Sequence, residues 1–216
     1  MNVSRETLRS RLLQGLLELG LDLQPQQIEQ LLDYQGLMSK WNKVYNLTAI
    51  RDPEQMLALH LLDSLSAVAA FAKAKRVLDV GAGGGLPGIV LAIARPDVQV
   101  HLIDVVQKKT AFLNQVKAEL KLVNVNVHCG KVENLQTGPD LAAFDIITSR
   151  AFADLRDFVS WSGHLLTADG EFIALKGQDP LQESQALPAG WRVKTIQALR
   201  VPQLDAARHL VFIERA

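Results

Sequence analysis

Several protein classes are excluded by what the 216-residue chain lacks. It has one cysteine, Cys129, which rules out an internal disulfide and a cysteine-rich metal site and suits a reducing compartment. Cys129 reads as a small apolar strand residue. There is no excess of positive charge, because 23 Lys and Arg balance 23 Asp and Glu. No long-range field draws the chain to nucleic acid, so an RNA or DNA partner must be met by a local basic patch. No apolar run reaches membrane-spanning length. The opening MNVSRETLRSRLLQ is charged from the start and has no secretory core, so a cytoplasmic protein away from membranes is expected. Internal repeats, low-complexity linkers and metal-ligand clusters are also missing.

What is present is ample apolar material, 48% of residues, enough to cover both faces of a buried sheet. Up to about Phe71 the apolar positions recur at helical spacing (Leu8, Leu12, Leu13, Leu16, Leu17, then Ile28, Leu31, Leu32), which predicts three helices. Pro25 suits the first turn of the second, and Asp52-Pro53 supplies a cap and a first-turn proline for the third. Met56, Leu59, Leu62 and Leu65 give that third helix a core face. After Lys73, short β-rich runs alternate with helical segments, the pattern of βαβ units and a parallel sheet. The chain thus divides into a helical extension, 1–72, packed on a core, 73–216. Strands are expected near 76–80, 98–103, 125–129, 144–149, 170–176, 191–199 and 209–213. The connector before the last run is too short for a helical crossover, so the final two strands should be antiparallel. The expected fold is a doubly wound, Rossmann-like α/β sheet of seven strands, the last antiparallel. Residues 177–190 are polar and proline-bearing and read as a mobile loop.

The strand VLDV runs into GAGGGLPG, where Pro87 is expected to open a helix. Gly81, Gly83 and Gly85 allow a tight turn and close approach of a ligand to main-chain N–H groups. The stretch from Gly83 to Gly88 also satisfies the dinucleotide pattern G-x-G-x-x-G, so the turn alone does not choose a cofactor. Asp104 ends the next strand, where its carboxylate can accept from both ribose hydroxyls of an adenosine; the alternative is a cap for the following helix. Asp79 lies inside the first strand, where a charge is costly unless paired. Dinucleotide enzymes usually have an apolar residue there, and methyltransferases an acid near the methionine amino group, which favours S-adenosyl-L-methionine. Lys131-Val132-Glu133 either holds the adenine ring or is a solvated turn. Arg150 ends the fourth strand at the ligand-binding edge.

The acceptor chemistry is narrowed by elimination. The Asn/Asp-Pro-Pro-aromatic loop common in enzymes that methylate exocyclic amines is replaced by Ser149-Arg150-Ala151-Phe152, and Cys129 is on the wrong strand to act as a nucleophile on a pyrimidine. Acceptors with a free lone pair and no proton to lose, such as guanine N7, remain; they need little beyond in-line positioning.

Taken together, Lys40-Trp41-Asn42-Lys43-Val44-Tyr45-Asn46-Leu47-Thr48, Arg51-Asp52-Pro53, His60-Leu-Leu-Asp63-Ser64, the glycine turn with Leu86-Pro87-Gly88, Ser149-Arg150-Ala151-Phe152, Ala174-Leu175-Lys176-Gly177 and Arg208-His209-Leu210 closely resemble the bacterial small-subunit ribosomal RNA methyltransferase G family over nearly the whole chain. The resemblance implies N7 methylation of one guanine in a decoding-region loop of 16S rRNA. It also implies cofactor contacts at Gly81, Leu86, Val132, Glu133 and Arg150.

Lys40, Lys43, Arg51, Lys176 and Arg208 are candidate RNA contacts, with Arg150 and Lys176 candidates for positioning the reactants. Trp41, Tyr45 and Phe152 are interleaved aromatics able to stack on an extruded base, although Trp41 and Tyr45, four residues apart on a helix, also suit core packing. Asn46 and His60 can equally be buried hydrogen-bonding groups. Two competing classes are a nicotinamide-dependent oxidoreductase, resting on the overlapping glycine pattern and Asp104, and a non-enzymatic RNA-binding protein, which charge neutrality disfavours. Neutrality further predicts that the substrate is a preformed shape in the small ribosomal subunit or an assembly intermediate; a monomer is expected.

Overall fold

The computed structural model describes residues 3–150, 152, 154–177, 180, 183 and 185–216. α1 (Arg5–Leu19) starts where Ser4 Oγ accepts from Thr7 N at 3.1 Å. α2 (Pro25–Tyr45) has Pro25 in its first turn and a reciprocal cap between Gln24 and Gln27, and Asn46 closes it in the left-handed region. The third expected helix lies where its sequence puts it, but it is not regular. α3 (Pro53–Met56), capped by Asp52, widens into a π-helical stretch, Leu57–Leu62, before α4 (Asp63–Ser66). The wider turn rotates the apolar face, so Met56, Leu62 and Leu65 are buried while Leu59 is only half-buried.

Seven strands follow: β1 (Arg76–Val80), β2 (Gln99–Asp104), β3 (Val125–Cys129), β4 (Phe144–Arg150), β5 (Leu166–Lys176), β6 (Trp191–Leu199) and β7 (Arg208–Arg215). They form one sheet in the order β3-β2-β1-β4-β5-β7-β6. The pairs among β1 to β5 are parallel, and β7 runs antiparallel to both β5 and β6. α5 (Gly88–Ala94), α6 (Gln107–Glu119) and α7 (Leu155–Ser162) supply the crossovers. Asp145 Oδ2 accepts from the main chain of both Lys75 and Arg76 at 2.8 Å, which fixes the start of β1 against β4.

Two details differ from the sequence reading. Pro87 does not open the helix as its first residue: the Leu86–Pro87 bond is cis, Pro87 occupies the cap position and Gly88 is the first helical residue. Cys129 is exposed rather than packed, because β3 is an edge strand of which only the first residue is fully buried. Residues 178, 179, 181, 182 and 184 of the expected loop lie outside the described residues.

The apolar core lies in two layers, one on each face of the sheet. The first unites Leu12 and Leu16 of α1, Leu31 and Met38 of α2, and Leu57 and Leu61 of the π-helical stretch with β1, β2, α5 and α6. The second joins Leu155, Phe158 and Val159 of α7 to Phe144, Phe172 and Val211. The amino-terminal helices therefore help close the sheet's core. α2 also caps its neighbours: Gln27 Nε2 donates to Ile93 O at 2.6 Å at the end of α5, and Gln30 Nε2 to Leu120 O at 2.8 Å at the end of α6. Each supplies a partner for a carbonyl that a helix end leaves open.

Candidate cofactor and RNA site

β1 delivers the chain to its carboxyl edge at Val80, and the glycine turn folds over that edge. Gly81 has φ +68° and open space on its Cβ side, with Phe152 at 3.8 Å, so it faces the cleft. Gly85 has φ +93°, and a Cβ there would meet Ile89 at 2.5 Å and Leu113 at 2.9 Å. The missing side chain lets the turn pack closely against Ile89 and Leu113. Gly88 serves likewise: its N–H donates to Asp79 Oδ2 at 2.9 Å, and an added Cβ would collide with Leu102.

Asp104 is buried at the end of β2 and ties two loops together. Its Oδ2 accepts from Gly83 N at 2.9 Å, its Oδ1 from Val106 N at 2.8 Å, and Lys109 Nζ stands 3.8 Å away. The bond to the start of α6 and a place on the wall of an open cleft coexist, since the two main-chain bonds leave carboxyl lone pairs unused. Asp79 is different. It is fully buried beneath the turn, Oδ1 has no partner among the described residues, and burial pushes its carboxyl up to about 7 despite the Gly88 hydrogen bond and the nearby Arg150 charge.

Three adjoining clefts open at this edge of the sheet. A first, of about 380 Å³, is lined by five expected residues, Gly81, Asp104, Val132, Glu133 and Arg150. Its remaining walls include Val105 and Val106 on one side and Phe152, Asp157 and Trp161 on another. A second, of about 260 Å³, takes in Gly81, Gly83, Leu86 and Arg150, with Met38 and His60 from the amino-terminal helices and Thr48 from the connector after α2. The third, about 280 Å³, holds Arg150, Lys176 and Arg208 around Asp63. Asp79 and Gly85, both expected at the cofactor, line none of the three; they support the turn from behind.

Arg150 borders all three clefts. Its Nη1 donates to Leu59 O at 2.8 Å and to Asp63 Oδ2 at 3.0 Å, and its Nη2 lies 3.4 Å from His60 Nδ1. Burial, reinforced by the Arg150 charge, pushes the His60 imidazole down to about 4, so it is neutral at physiological pH, with Nε2 at 3.0 Å from Thr48 Oγ1. His60 is thus the buried, hydrogen-bonded group that one reading of the sequence gives it. Asn46 is instead exposed, and its Oδ1 accepts from Arg51 Nη2 at 2.9 Å.

The other basic candidates fall into two groups. Lys40, Lys43 and Arg51 are exposed on and just after α2, and among the described residues none has a carboxylate within ion-pair distance. Beside them Tyr45, 41% exposed, stacks against Trp41 at a centroid distance of 4.9 Å. Trp41 itself is core, packed on Phe112 at 5.4 Å with its Nε1 donating to Gln115. Lys176 and Arg208 are already engaged: Lys176 Nζ donates to Glu183 at 2.6 Å and to Phe152 O at 3.1 Å, and Arg208 Nε to Asp63 at 2.8 Å. The sequence reading missed Lys109, Asp157, Trp161, Met38 and Thr48. The apolar pair Val105-Val106, directly after Asp104, was a readable signal; the others reach the clefts only through tertiary packing.

Among the described residues no helix is long and apolar enough to cross a membrane, and no group of three His, Cys, Asp or Glu is arranged to hold a metal ion. Solved structures share the fold. TrmN from Thermus thermophilus superposes with a TM-score of 0.53 at 18% identity, over 74% of this chain and 53% of that one. The ribosomal protein L11 methylase of Lactobacillus delbrueckii subsp. bulgaricus does so with 0.55 at 19%, over 76% and 80%. Sequence relatives are much nearer. The ribosomal RNA small subunit methyltransferases G of Herminiimonas arsenicoxydans and Janthinobacterium sp. (strain Marseille) are 61% and 60% identical over 215 residues, 98% of this chain and 97% and 96% of theirs. The family described as rRNA small subunit methyltransferase G matches residues 27–211. The chain belongs to that family.

Proposed function

We propose that the protein transfers the methyl group of S-adenosyl-L-methionine to N7 of one guanine in 16S rRNA. The observation that carries this reading is the Asp104 carboxylate. It is held by Gly83 and Val106 at the base of a cleft of about 380 Å³ whose other walls are largely apolar, the arrangement an adenosine needs: apolar faces with a few placed polar groups. In this assignment Asp104 binds the ribose, Val132 and Glu133 border the adenine, and Gly81, Gly83 and Leu86 lead the methionine end toward the second cleft.

The cofactor supplies an electrophilic methyl on sulfur. Bound there, it would hand that methyl to the guanine N7 lone pair, the C–S bonding pair staying on sulfur, with no proton to be removed by the protein. The chain's task is therefore alignment and exclusion of water. Arg150 stands close to where the cationic donor binds, but its charge is offset by Asp63 at 3.0 Å, which limits repulsion of a sulfonium. Met38, Thr48 and neutral His60 shape the second cleft for the base. The helical extension, 1–72, contributes these residues and acts as a substrate platform on the core, 73–216.

The substrate in this reading is the small ribosomal subunit or an assembly intermediate, met in the cytoplasm by a monomer. Zero net charge supports recognition of shape over long-range attraction. Purified protein is incubated with labelled S-adenosylmethionine and unmethylated small subunits, and the nucleosides are analysed by mass spectrometry. Labelled 7-methylguanosine is expected. Label on another atom overturns the N7 assignment, and equal activity on a short isolated hairpin overturns the preference for the assembled particle.

A further inference from the structure

In the third cleft one buried carboxylate is shared by two arginines. Asp63, 4% exposed, sits at the start of α4 and receives two guanidinium groups from the same edge of the sheet: Arg150 at the end of β4, on Oδ2 at 3.0 Å, and Arg208 at the start of β7, on Oδ1 at 2.8 Å. One carboxylate between two arginines leaves the cluster with one uncompensated positive charge. The remaining donors are not consumed. Arg208 Nη1 donates to Ala207 O at 2.8 Å, while its Nη2 and Arg150 Nε have no partner among the described residues. Lys176, whose ammonium carries three donors, uses two of them on Phe152 O and Glu183.

We propose that Asp63 is a positioning residue and that the cleft it organises is a phosphodiester subsite for the RNA strand flanking the target guanine. The inference rests on the RNA reading above. Its geometric basis is the shared wall: Arg150 borders both this cleft and the two assigned to cofactor and base, so an anion here lies one side chain away from the reacting groups. Two guanidinium forks fixed by one buried carboxylate suit a tetrahedral oxyanion. Their planes are pre-organised and lose little conformational freedom when a phosphate binds. The third donor of Lys176 completes the rim. The π-helical stretch Leu57–Leu62 serves the same purpose, because it brings the Leu59 carbonyl, His60 and Asp63 together on Arg150.

The test uses the full chain and unmethylated small subunits, with binding and methyl transfer measured side by side across a salt series. Arg208→Gln is expected to weaken subunit binding about tenfold and to lower the slope of log affinity against log salt by about 1, the signature of one lost phosphate contact. Its affinity for S-adenosylmethionine should not change, and Arg208→Lys should recover part of the subunit affinity with the salt slope restored. Asp63→Asn releases both arginines and should impair both ligands; a melting curve shows whether it folds, and the Arg208 pair carries the test if it does not. Unaltered subunit affinity and salt slope in Arg208→Gln, with wild-type binding intact, overturn the subsite. Failure of the wild type to bind or methylate subunits overturns the RNA reading itself, and the subsite with it.

Discussion

Tyr34, fully buried on α2, donates its hydroxyl to the Gly84 carbonyl at 2.5 Å, so the amino-terminal helices directly hold the glycine turn. Tyr34→Phe leaves that carbonyl without its partner inside the protein. A loss of about 1 kcal/mol is expected from denaturant unfolding, the usual net contribution of one hydrogen bond to a partly buried acceptor. S-adenosylmethionine affinity, read by calorimetry, should fall with it. Unchanged affinity would show that the turn keeps its shape without the tether.

Gly88→Ala should be far more damaging. The new methyl group would meet Leu102 and stand 2.8 Å from Asp79 Oδ2, so α5 must move off the sheet. Overpacking of this kind costs about 1–3 kcal/mol or more. A melting temperature within two degrees or so of wild type would contradict the packing role.

Asp79 makes stability fall as pH rises. Burial holds its folded-state carboxyl up at about 7 against an ordinary 3.8, so between those values the fold keeps a proton that the unfolded chain has released. Asp79→Asn keeps an acceptor for Gly88 N without the ionisation. It should be at least as stable as wild type at pH 8, where wild type carries the full cost, and it should retain cofactor binding because Asp79 lines none of the clefts. Loss of S-adenosylmethionine affinity in a well-folded Asp79→Asn protein would restore Asp79 to the ligand site.

The histidines act in the opposite direction. His101 and His128 face each other at 2.9 Å. Burial pushes His101 down to about 4, with the neighbouring His128 adding to it, and also lowers His128; His60 is held at about 4. The fold prefers all three neutral, so the stability they lend is present above pH 6.5 and lost as pH falls toward 4. Because Asp79 compensates over the same interval, Asp79→Asn should show the steeper acid loss. Urea midpoints for the two proteins at pH 7 and pH 5 test this, and parallel slopes would refute it.

The strands, their order of appearance and the antiparallel close were legible because alternation, glycine and proline are local signals. Asp104 was legible too, since its place at a strand end followed from the glycine turn one strand earlier. For Asp79 and Gly85 the motif states that they cluster at the turn but not which side of it each faces, and in the structure neither lines the clefts. The π-helical stretch left no trace in the spacing of Met56, Leu59, Leu62 and Leu65. Its Leu59 carbonyl accepts from Arg150, 91 residues away in the chain, a contact that no local spacing encodes. Asp157 and Trp161 were missed because α7 had no motif of its own and reaches the cleft only once the second core layer has packed.

The position of β7 bears on how the protein is made. β7 follows β5 and β6 in the chain, yet it lies between them in the sheet, so while the chain is synthesised β5 is complete and unpaired along one side until residues 208–215 emerge. An open strand edge of that kind templates wrong pairings, and the required contact is distant in sequence, which slows its formation. Arg208 belongs to this last strand. The cationic cleft is therefore completed late, and a nascent chain already able to fold its glycine turn still lacks the side chain that joins Asp63 from β7.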